Sequence, residues 1–392
     1  MTTDKKPLTF TPPPEGITGN PADGALIIYH GGGCLDGFAA AWAHNYATSG
    51  HVRHRQYFPM DYDDREMPDP AGRNVYLLDF SLPVKDLREV CQRAAVVMVV
   101  DHHKAAADAL SKLVARKPRA QVPRPKGGLV LDIATFAGDD SEWVLLGDPT
   151  RSLTAAEFTE YEYHNLAPDN LACVIDMSLS GGQLTWDTFY AEAGHGFPEL
   201  DGARYTRPAM LDCLGARDRW AKHEVPDGWA DAAASYFASV PKDFTAWTVE
   251  MTKAPYQVID SGRTLNAQFN QLAEVSARPA HIMRLLIGGK VVPAANTSRV
   301  FRSEAGYNVL NRDSRAPFAA IFYLDNGRWG FSLRSHDRRD DVDLVARQYG
   351  GGGHRNAAGF SVPLNAIQWY PEATTYNGEP VDGVVLTPEQ QG

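Results

Sequence analysis

The chain has 392 residues, 44% of them hydrophobic, with a formal net charge of −10. This is enough apolar material for two buried cores, while the acidic balance argues against coating long duplex nucleic acid, which calls for a broad basic surface. No apolar stretch approaches the roughly 20 residues of a membrane span. The start lacks the apolar core of a signal peptide, and the four cysteines, Cys34, Cys91, Cys173 and Cys213, form no CxxC pair. A soluble, cytoplasmic protein from a reducing compartment is therefore expected, without a disulfide framework or a structural zinc finger.

In chain order, residues 1–24 are rich in Pro, Thr and Gly and read as a disordered lead-in. An apolar strand over 25–29 leads through His30-Gly31-Gly32-Gly33-Cys34-Leu35-Asp36-Gly37 into a helix over 38–45. A second strand over 75–78 ends at Asp79, and 84–94 has the pattern of a covering helix. The apolar run Val96-Val97-Met98-Val99-Val100 then stops at Asp101-His102-His103. Such a run suits a strand buried on both faces of a parallel sheet, and ligands of these sheets gather at the carboxyl ends of strands. Strands alternating with helices indicate right-handed crossovers and a mainly parallel α/β domain.

Lys104, Lys112, Arg116, Lys117, Arg119, Arg124 and Lys126 face the single acid Asp108 in a basic segment. It is suited to guiding a phosphate-rich substrate, or is an ordinary solvated helix face followed by a loop. Beyond it, 127–148 reads as a hairpin, 171–175 as a strand ending at Asp176, and Ser180-Gly181-Gly182 opens a helix over 183–190. A helical stretch over 207–220 carries Asp212, Arg217 and Asp218.

Long helices over 246–277 are expected to join two domains. From residue 280 the pattern turns to short strands, 282–287, 291–292, 318–324 and 330–334, with Asp325-Asn326-Gly327 as a hairpin signal. A glycine run, Gly350-Gly351-Gly352-Gly353, precedes His354. The expected layout is a lead-in over 1–24, a catalytic domain over 25–245, a helical linker over 246–279, a smaller α+β domain over 280–365 and a tail over 366–392.

Chemistry-bearing side chains collect at the strand ends: His30, Cys34 and Asp36 in the first loop, Asp79 after the second strand, and Asp101, His102 and His103 after the third. All can face one crevice. Singly, His30 also reads as a polar residue ahead of a helix, Cys34 as a small packed residue, Asp36 as a turn or cap residue and Asp79 as a cap. Together, carboxylate oxygens and imidazole nitrogens suit Mn²⁺ and related divalent ions, and a shared carboxylate can hold two of them roughly 3.5–4 Å apart.

The order His30-x3-Cys34-x-Asp36-Gly37, Leu78-Asp79, Asp101-His102-His103 and, far downstream, Gly351-Gly352-Gly353-His354-x2-Ala357-Ala358-Gly359-Phe360 resembles the DHH phosphoesterase superfamily with its C-terminal associated domain. The resemblance runs from about residue 25 to 363. It implies an active site in the interdomain cleft and two Mn²⁺ ions, with Mg²⁺ or another divalent ion as substitutes. One ion would be held by His30, Cys34 and Asp79, the other by Asp36, Asp79, His102 and a later acid. Asp218 is the first choice for that acid, with Asp212 and Asp176 behind it. Asp101 would orient an imidazole, and His103 would meet the phosphate or the leaving oxygen.

Two departures are visible. Cys34 stands where the family usually has Asp, and Ala216 replaces the first acid of a family Asp-Arg-Asp-Leu-Trp motif, here Ala216-Arg217-Asp218-Arg219-Trp220. In the associated domain, Asn296, Arg334, Gly352, Gly353 and His354 would bind substrate. The implied activity is hydrolysis of short single-stranded oligonucleotides to nucleoside monophosphates. The alternatives are a cyclic-dinucleotide or phosphoadenosine-phosphate phosphoesterase, and a catalytically degenerate nucleotide or single-strand binding protein. Homo-oligomerisation is compatible with each.

Overall fold

A computed structural model describes residues 7–12, 24–49, 54–62, 64–110, 113–116, 121–123, 129–131, 143–145, 148–152, 167–190 and 207–391. The chain forms two compact units, Met1–Leu265 and Asn266–Gly392. Among the described residues no helix is long and apolar enough to cross a membrane.

Unit 1 begins β1 (Thr9–Thr11), β2 (Gly24–His30), α1 (Leu35–Ala47), β3 (His54–Met60), β4 (Glu66–Pro68), β5 (Asn74–Leu78), α2 (Val84–Arg93), β6 (Val96–Asp101) and α3 (Lys104–Leu110). Short strands follow: β7 (Val114–Arg116), β8 (Gln121–Pro123), β9 (Leu129–Leu131), β10 (Trp143–Leu145) and β11 (Asp148–Ser152). Then come β12 (Leu171–Ile175), α4 (Gly181–Phe189), α5 (Ala209–Asp218), α6 (Trp229–Ser239), α7 (Phe244–Met251) and α8 (Pro255–Ser276), within which the units divide.

Five parallel strands make the main sheet, in the order β12-β6-β5-β2-β3. Both faces are covered, which is why the strands read as continuous apolar runs. Leu26, Ile28, Leu77, Val97 and Val99 pack with Leu87 and Val90 of α2. The alternate residues Ile27, Leu78, Val100 and Val174 pack with Ala40 of α1 and Leu184 of α4. Ile27 and Ile28 are fully buried, each contributing about 1.5–3 kcal/mol.

Unit 1 departs from expectation at several points. The lead-in is partly structured: β1 pairs in parallel with β4, and Leu8 is buried beside Met67 and Leu82. The hairpin expected over 127–148 is instead two antiparallel groups, β8 with β9, and β10 with β7 and β11. Lys104 pairs with Asp108 at 2.7 Å, while Lys112, Lys117, Arg119, Arg124 and Lys126 lie outside the described residues. The first part of the expected linker is core rather than tether, since Trp247, Met251, Val258 and Ile259 are buried against α1 and α5 residues.

Unit 2 adds β13 (Ile282–Ile287), β14 (Lys290–Asn296), α9 (Arg302–Arg312), β15 (Ala319–Asp325), β16 (Arg328–Arg334), α10 (Val342–Arg347), β17 (Gly352–His354), β18 (Ala357–Pro363), β19 (Ile367–Tyr376) and β20 (Glu379–Val385). The mixed eight-stranded sheet runs β17-β18-β16-β15-β14-β13-β20-β19. α9 packs Ala305, Val309 and Leu310 against Ala295, Ala319 and Ile321, whereas Val342, Val345 and Ala346 of α10 join a separate cluster with Ala294, Ala320 and Phe331.

The expected tail over 366–392 contains two strands of this sheet. They are joined by Asn377-Gly378, whose φ angles of 51° and 83° match the left-handed pair of a tight hairpin turn. Asn326-Gly327, with φ of 46° and 74°, uses the same device between β15 and β16.

In unit 1, His44 of α1 is buried among Tyr57, Tyr76 and Phe189, with its Nδ1 2.9 Å from the Tyr57 hydroxyl. Burial, aided by the nearby Arg55 charge, lowers its pKa from 6.5 to about 3. Above pH 6.5 the imidazole is neutral in both folded and unfolded chains; below it, only the unfolded chain takes up the proton. Stability should therefore fall as pH drops from 6.5 toward 3, by up to about 1.4 kcal/mol per pH unit. Urea unfolding at about pH 7 and pH 5 checks this: His44→Gln should lose stability less steeply than the parent, and equal losses would contradict it.

Candidate metal centre

Register places the site. Tyr29 of β2 aligns with Leu78 of β5, and Leu78 with Val100 of β6. One residue further, His30, Asp79 and Asp101 stand side by side at the carboxyl edge. The chain goes from β2 to β3 on one side and then to β5 on the other, so strand order reverses between β2 and β5. Parallel sheets bind ligands at such a reversal. Asp79 turns away from β5 at a left-handed φ of 53°, which Asp tolerates better than most residues, and its N–H donates to the Val100 carbonyl at 2.8 Å.

Two helix starts converge on this edge. Cys34 is the N-cap of α1, its Sγ accepting from the Gly37 N–H at 3.4 Å, and Asp36 lies in the first turn. Ser180 and Gln183 form a capping box at α4. The Ser180 hydroxyl donates to Asp36 Oδ1 at 2.7 Å, and the Gly182 N–H lies 3.2 Å from both Asp36 oxygens. Gly181 is required by close approach: a Cβ there would lie 2.3 Å from the Asp79 Cβ and 2.4 Å from its Oδ1.

The result is a set of ligand atoms in three overlapping groups: His30, Cys34 and Asp79; Asp79, His102 and His103; and Asp36, His102 and Asp218. Within each, the atoms lie within 4.8 Å of one another. His102 Nε2 is 3.1 Å from Asp79 Oδ1, 3.4 Å from Asp218 Oδ2 and 4.0 Å from Asp36 Oδ2. On the other side of Asp79, Oδ2 is 3.6 Å from His30 Nδ1 and 3.8 Å from Cys34 Sγ. Asp36, Asp79 and His102 are at most 3% exposed.

These groups fit divalent cations. Asp79 Oδ1, His30 Nδ1 and Asp218 Oδ2 are buried and make no hydrogen bond of good geometry among the described residues, an expensive arrangement unless an ion meets them. The electrostatics agree. Burial, reinforced by the charges of Asp79 and Asp218, raises the Asp36 carboxyl well above the carboxylate range. Burial opposes ionisation of Asp79 too, but the close imidazoles of His102 and His30 hold its pKa below that range. Burial disfavours protonated His30 and His102, yet Cys34 and Asp79 push His30 up to about 11, and Asp79 with neighbouring acids pushes His102 up to about 10. The pocket demands positive charge, and bound cations would supply it.

The remaining predicted residues separate clearly. Asp101 Oδ1 accepts from the backbone N–H groups of His102 at 2.7 Å and His103 at 3.1 Å, and contacts His103 Nδ1 at 2.7 Å. It therefore orients His103, not His102. Asp218 joins the cluster, whereas Asp212 accepts from Gln183 and Arg207, both at 2.8 Å, and Asp176 accepts from Ser178.

Four neighbours went unpredicted. Tyr62 sets its ring 5.3 Å from His30 and 6.0 Å from His103, and Asp61 Oδ1 lies 4.0 Å from His30 Nε2. Lys242 donates to the Cys34 carbonyl at 3.0 Å, and Ser180 holds Asp36. The Ser180-Gly181-Gly182 helix start was visible in sequence, but nothing local tied it to Asp36, and no motif marks the other three.

In unit 2, Arg334 Nη1 donates to Ser332 Oγ and the Leu333 carbonyl, and Nη2 to Ser303 Oγ. The Gly353 N–H donates to Asp343 at 2.9 Å, and Gly352 and His354 lie with it in β17. Asn296 ends β14 and donates to the Phe322 carbonyl at 3.1 Å. The Ser332, Arg334 and Gly352–His354 positions are neighbours through β16, β18 and β17.

Gly181→Ala should push the Asp79 carboxylate out of place, costing about 1–3 kcal/mol of stability and weakening divalent-ion binding. Thermal unfolding and calorimetric titration with Mn²⁺ check this; parent-like values in both would contradict it.

No protein-family model matches the chain. An uncharacterized protein of Acanthamoeba polyphaga mimivirus is 23% identical over 376 residues, covering 90% of this chain and 71% of that protein. Among solved structures, a DHH domain described as a member of the s1p family of ribosomal proteins is 10% identical, with a TM-score of 0.42 and coverage of 87% of this chain and 83% of that one. RecJ from Thermus thermophilus, in complex with Mn²⁺, is 12% identical with a TM-score of 0.41, covering 87% of this chain and 50% of RecJ. In the order of its motifs and in the cluster those motifs assemble, this chain resembles the DHH phosphoesterase superfamily.

Proposed function

We propose that the chain is a metal-dependent phosphoesterase of the DHH type that hydrolyses short single-stranded oligonucleotides to nucleoside monophosphates with two Mn²⁺ ions. The observation carrying this reading is Asp79, a buried carboxylate whose two oxygens face different ligand groups, His30 and Cys34 on one side and His102 on the other. Bound there, divalent cations would lower the pKa of water and offset charge on the phosphate.

The chain's own residues do the rest. Ser180 and the Gly182 N–H steady Asp36, so its carboxylate needs little rearrangement to hold a cation. Asp101 fixes the His103 ring and supports its protonated form, since the Asp101 charge and hydrogen bond outweigh burial and raise the His103 pKa. His103 is thereby equipped to donate to a phosphate or leaving oxygen. Arg334 and His354 of unit 2 are assigned to substrate binding on the motif resemblance.

Asp79→Asn should reduce Mn²⁺-dependent release of nucleoside monophosphates by at least about a hundredfold to a thousandfold, with unfolding still cooperative. A panel of dinucleotides, longer single strands, cyclic dinucleotides and 3′-phosphoadenosine 5′-phosphate measures both the activity and its preference. Retained turnover in Asp79→Asn would overturn the assignment, and fastest turnover of a cyclic or mononucleotide substrate would replace the oligonucleotide.

A further inference from the structure

We propose that the centre's two cation positions differ in kind, His30, Cys34 and Asp79 forming a nitrogen–sulfur–oxygen position for a thiophilic divalent ion such as Zn²⁺ or Co²⁺. Asp36, His102 and Asp218, sharing Asp79, form the position for a harder ion such as Mn²⁺ or Mg²⁺. The proposal rests on the metal-centre reading above and deepens it, making the centre mixed-metal.

The case begins with where the cysteines lie. Cys91 and Cys173 belong to one apolar core cluster and Cys213 to another, and all three are buried. Cys34 belongs to no apolar cluster and is partly exposed. Its Sγ is directed at Asp79 Oδ2, at 3.8 Å, and groups with the His30 ring nitrogen. A cysteine retained only for packing would be expected among apolar side chains.

A second observation points to a ligand independently of the sulfur. His30 Nδ1 is buried without a hydrogen bond of good geometry among the described residues, and it lies 3.6 Å from Oδ2 of Asp79, whose side chain is 1% exposed. Both residues belong with Cys34 to one group of ligand atoms placed to meet a single cation.

The donor sets then separate the ions. Thiolate and imidazole favour Zn²⁺ and Co²⁺ over Mn²⁺, following both ligand softness and the general order of divalent affinities, whereas carboxylates suit Mn²⁺ and Mg²⁺. The second group has two carboxylates and one imidazole and no sulfur. Binding at the first position replaces the Cys34 S–H bond with a sulfur–metal bond, the proton passing to solvent with no change in oxidation state.

The geometry also supplies clean variants. Cys34 caps α1 through its sulfur, and Ser and Asp are both strong N-caps. Cys34→Ser therefore removes the soft ligand and Cys34→Asp hardens it, each with the helix start kept.

The full chain, stripped with chelator under reducing conditions, is titrated with Co²⁺ and its near-ultraviolet absorption followed. The parent should develop a thiolate-to-cobalt charge-transfer band, lost on adding Zn²⁺ and retained with matched Mn²⁺. Cys34→Ser should bind Co²⁺ without the band, and Cys34→Asp should shift the Zn²⁺-over-Mn²⁺ preference toward Mn²⁺ by roughly tenfold or more, the scale on which metal-site substitutions act.

A measurement on the parent alone complements this: Zn²⁺ should slow alkylation of Cys34 by iodoacetamide, read by peptide mass spectrometry, far more than Mn²⁺ does. Co²⁺ binding without the band, or equal alkylation with Zn²⁺ and without it, overturns the mixed-metal centre while leaving the phosphoesterase reading in place. Failure to bind any of these cations overturns both.

Discussion

The burial of the Asp79 carboxylate is the constraint on which unit 1 depends. Its left-handed backbone turns the chain at the edge of the sheet, and α4 approaches so closely that position 181 has no room for a Cβ. A carboxylate taken from water at such a place is unfavourable unless several groups compensate it. His30, Cys34 and His102 gather around it for that reason, and the starts of α1 and α4 are fixed by the same arrangement.

Around this carboxylate the charges are divided between two tasks. Asp36, Asp79 and Asp218 concentrate negative potential on the His102 ring nitrogen. Asp101, fully buried one strand over, turns instead to His103 and to two backbone N–H groups. Adjacent residues of one short segment thus acquire different chemistry because they leave the end of β6 in different directions. Cys34 adds a third element, a sulfur at the start of α1 that lies 3.8 Å from Asp79 Oδ2.

Much of this was legible in the sequence because it is local. The apolar runs before Asp79 and Asp101 identify strands buried on both faces, and the period of the pattern carries that information within a few residues. The strands of the tail are not legible locally, although Asn377-Gly378 is as plain a hairpin signal as Asn326-Gly327. The strands it joins include exposed residues such as Trp369 and Tyr376, so their apolar pattern is weak. Likewise, β1 exists through its pairing with β4, 57 positions away, which no local propensity records.

The sequence by itself determined the parallel α/β character of unit 1, the hairpin at Asn326-Gly327 and the placing of His30, Asp79 and Asp101-His102-His103 at strand ends, because strand period and turn chemistry act over short distances. Only the tertiary structure brought Asp218, rather than Asp212 or Asp176, beside His102, set Asp101 against His103, brought Ser180 to Asp36 and turned Cys34 toward Asp79. Those choices depend on which helix start meets which strand end, a matter of packing between segments far apart in the chain, where a single missing Cβ at Gly181 decides how close they come.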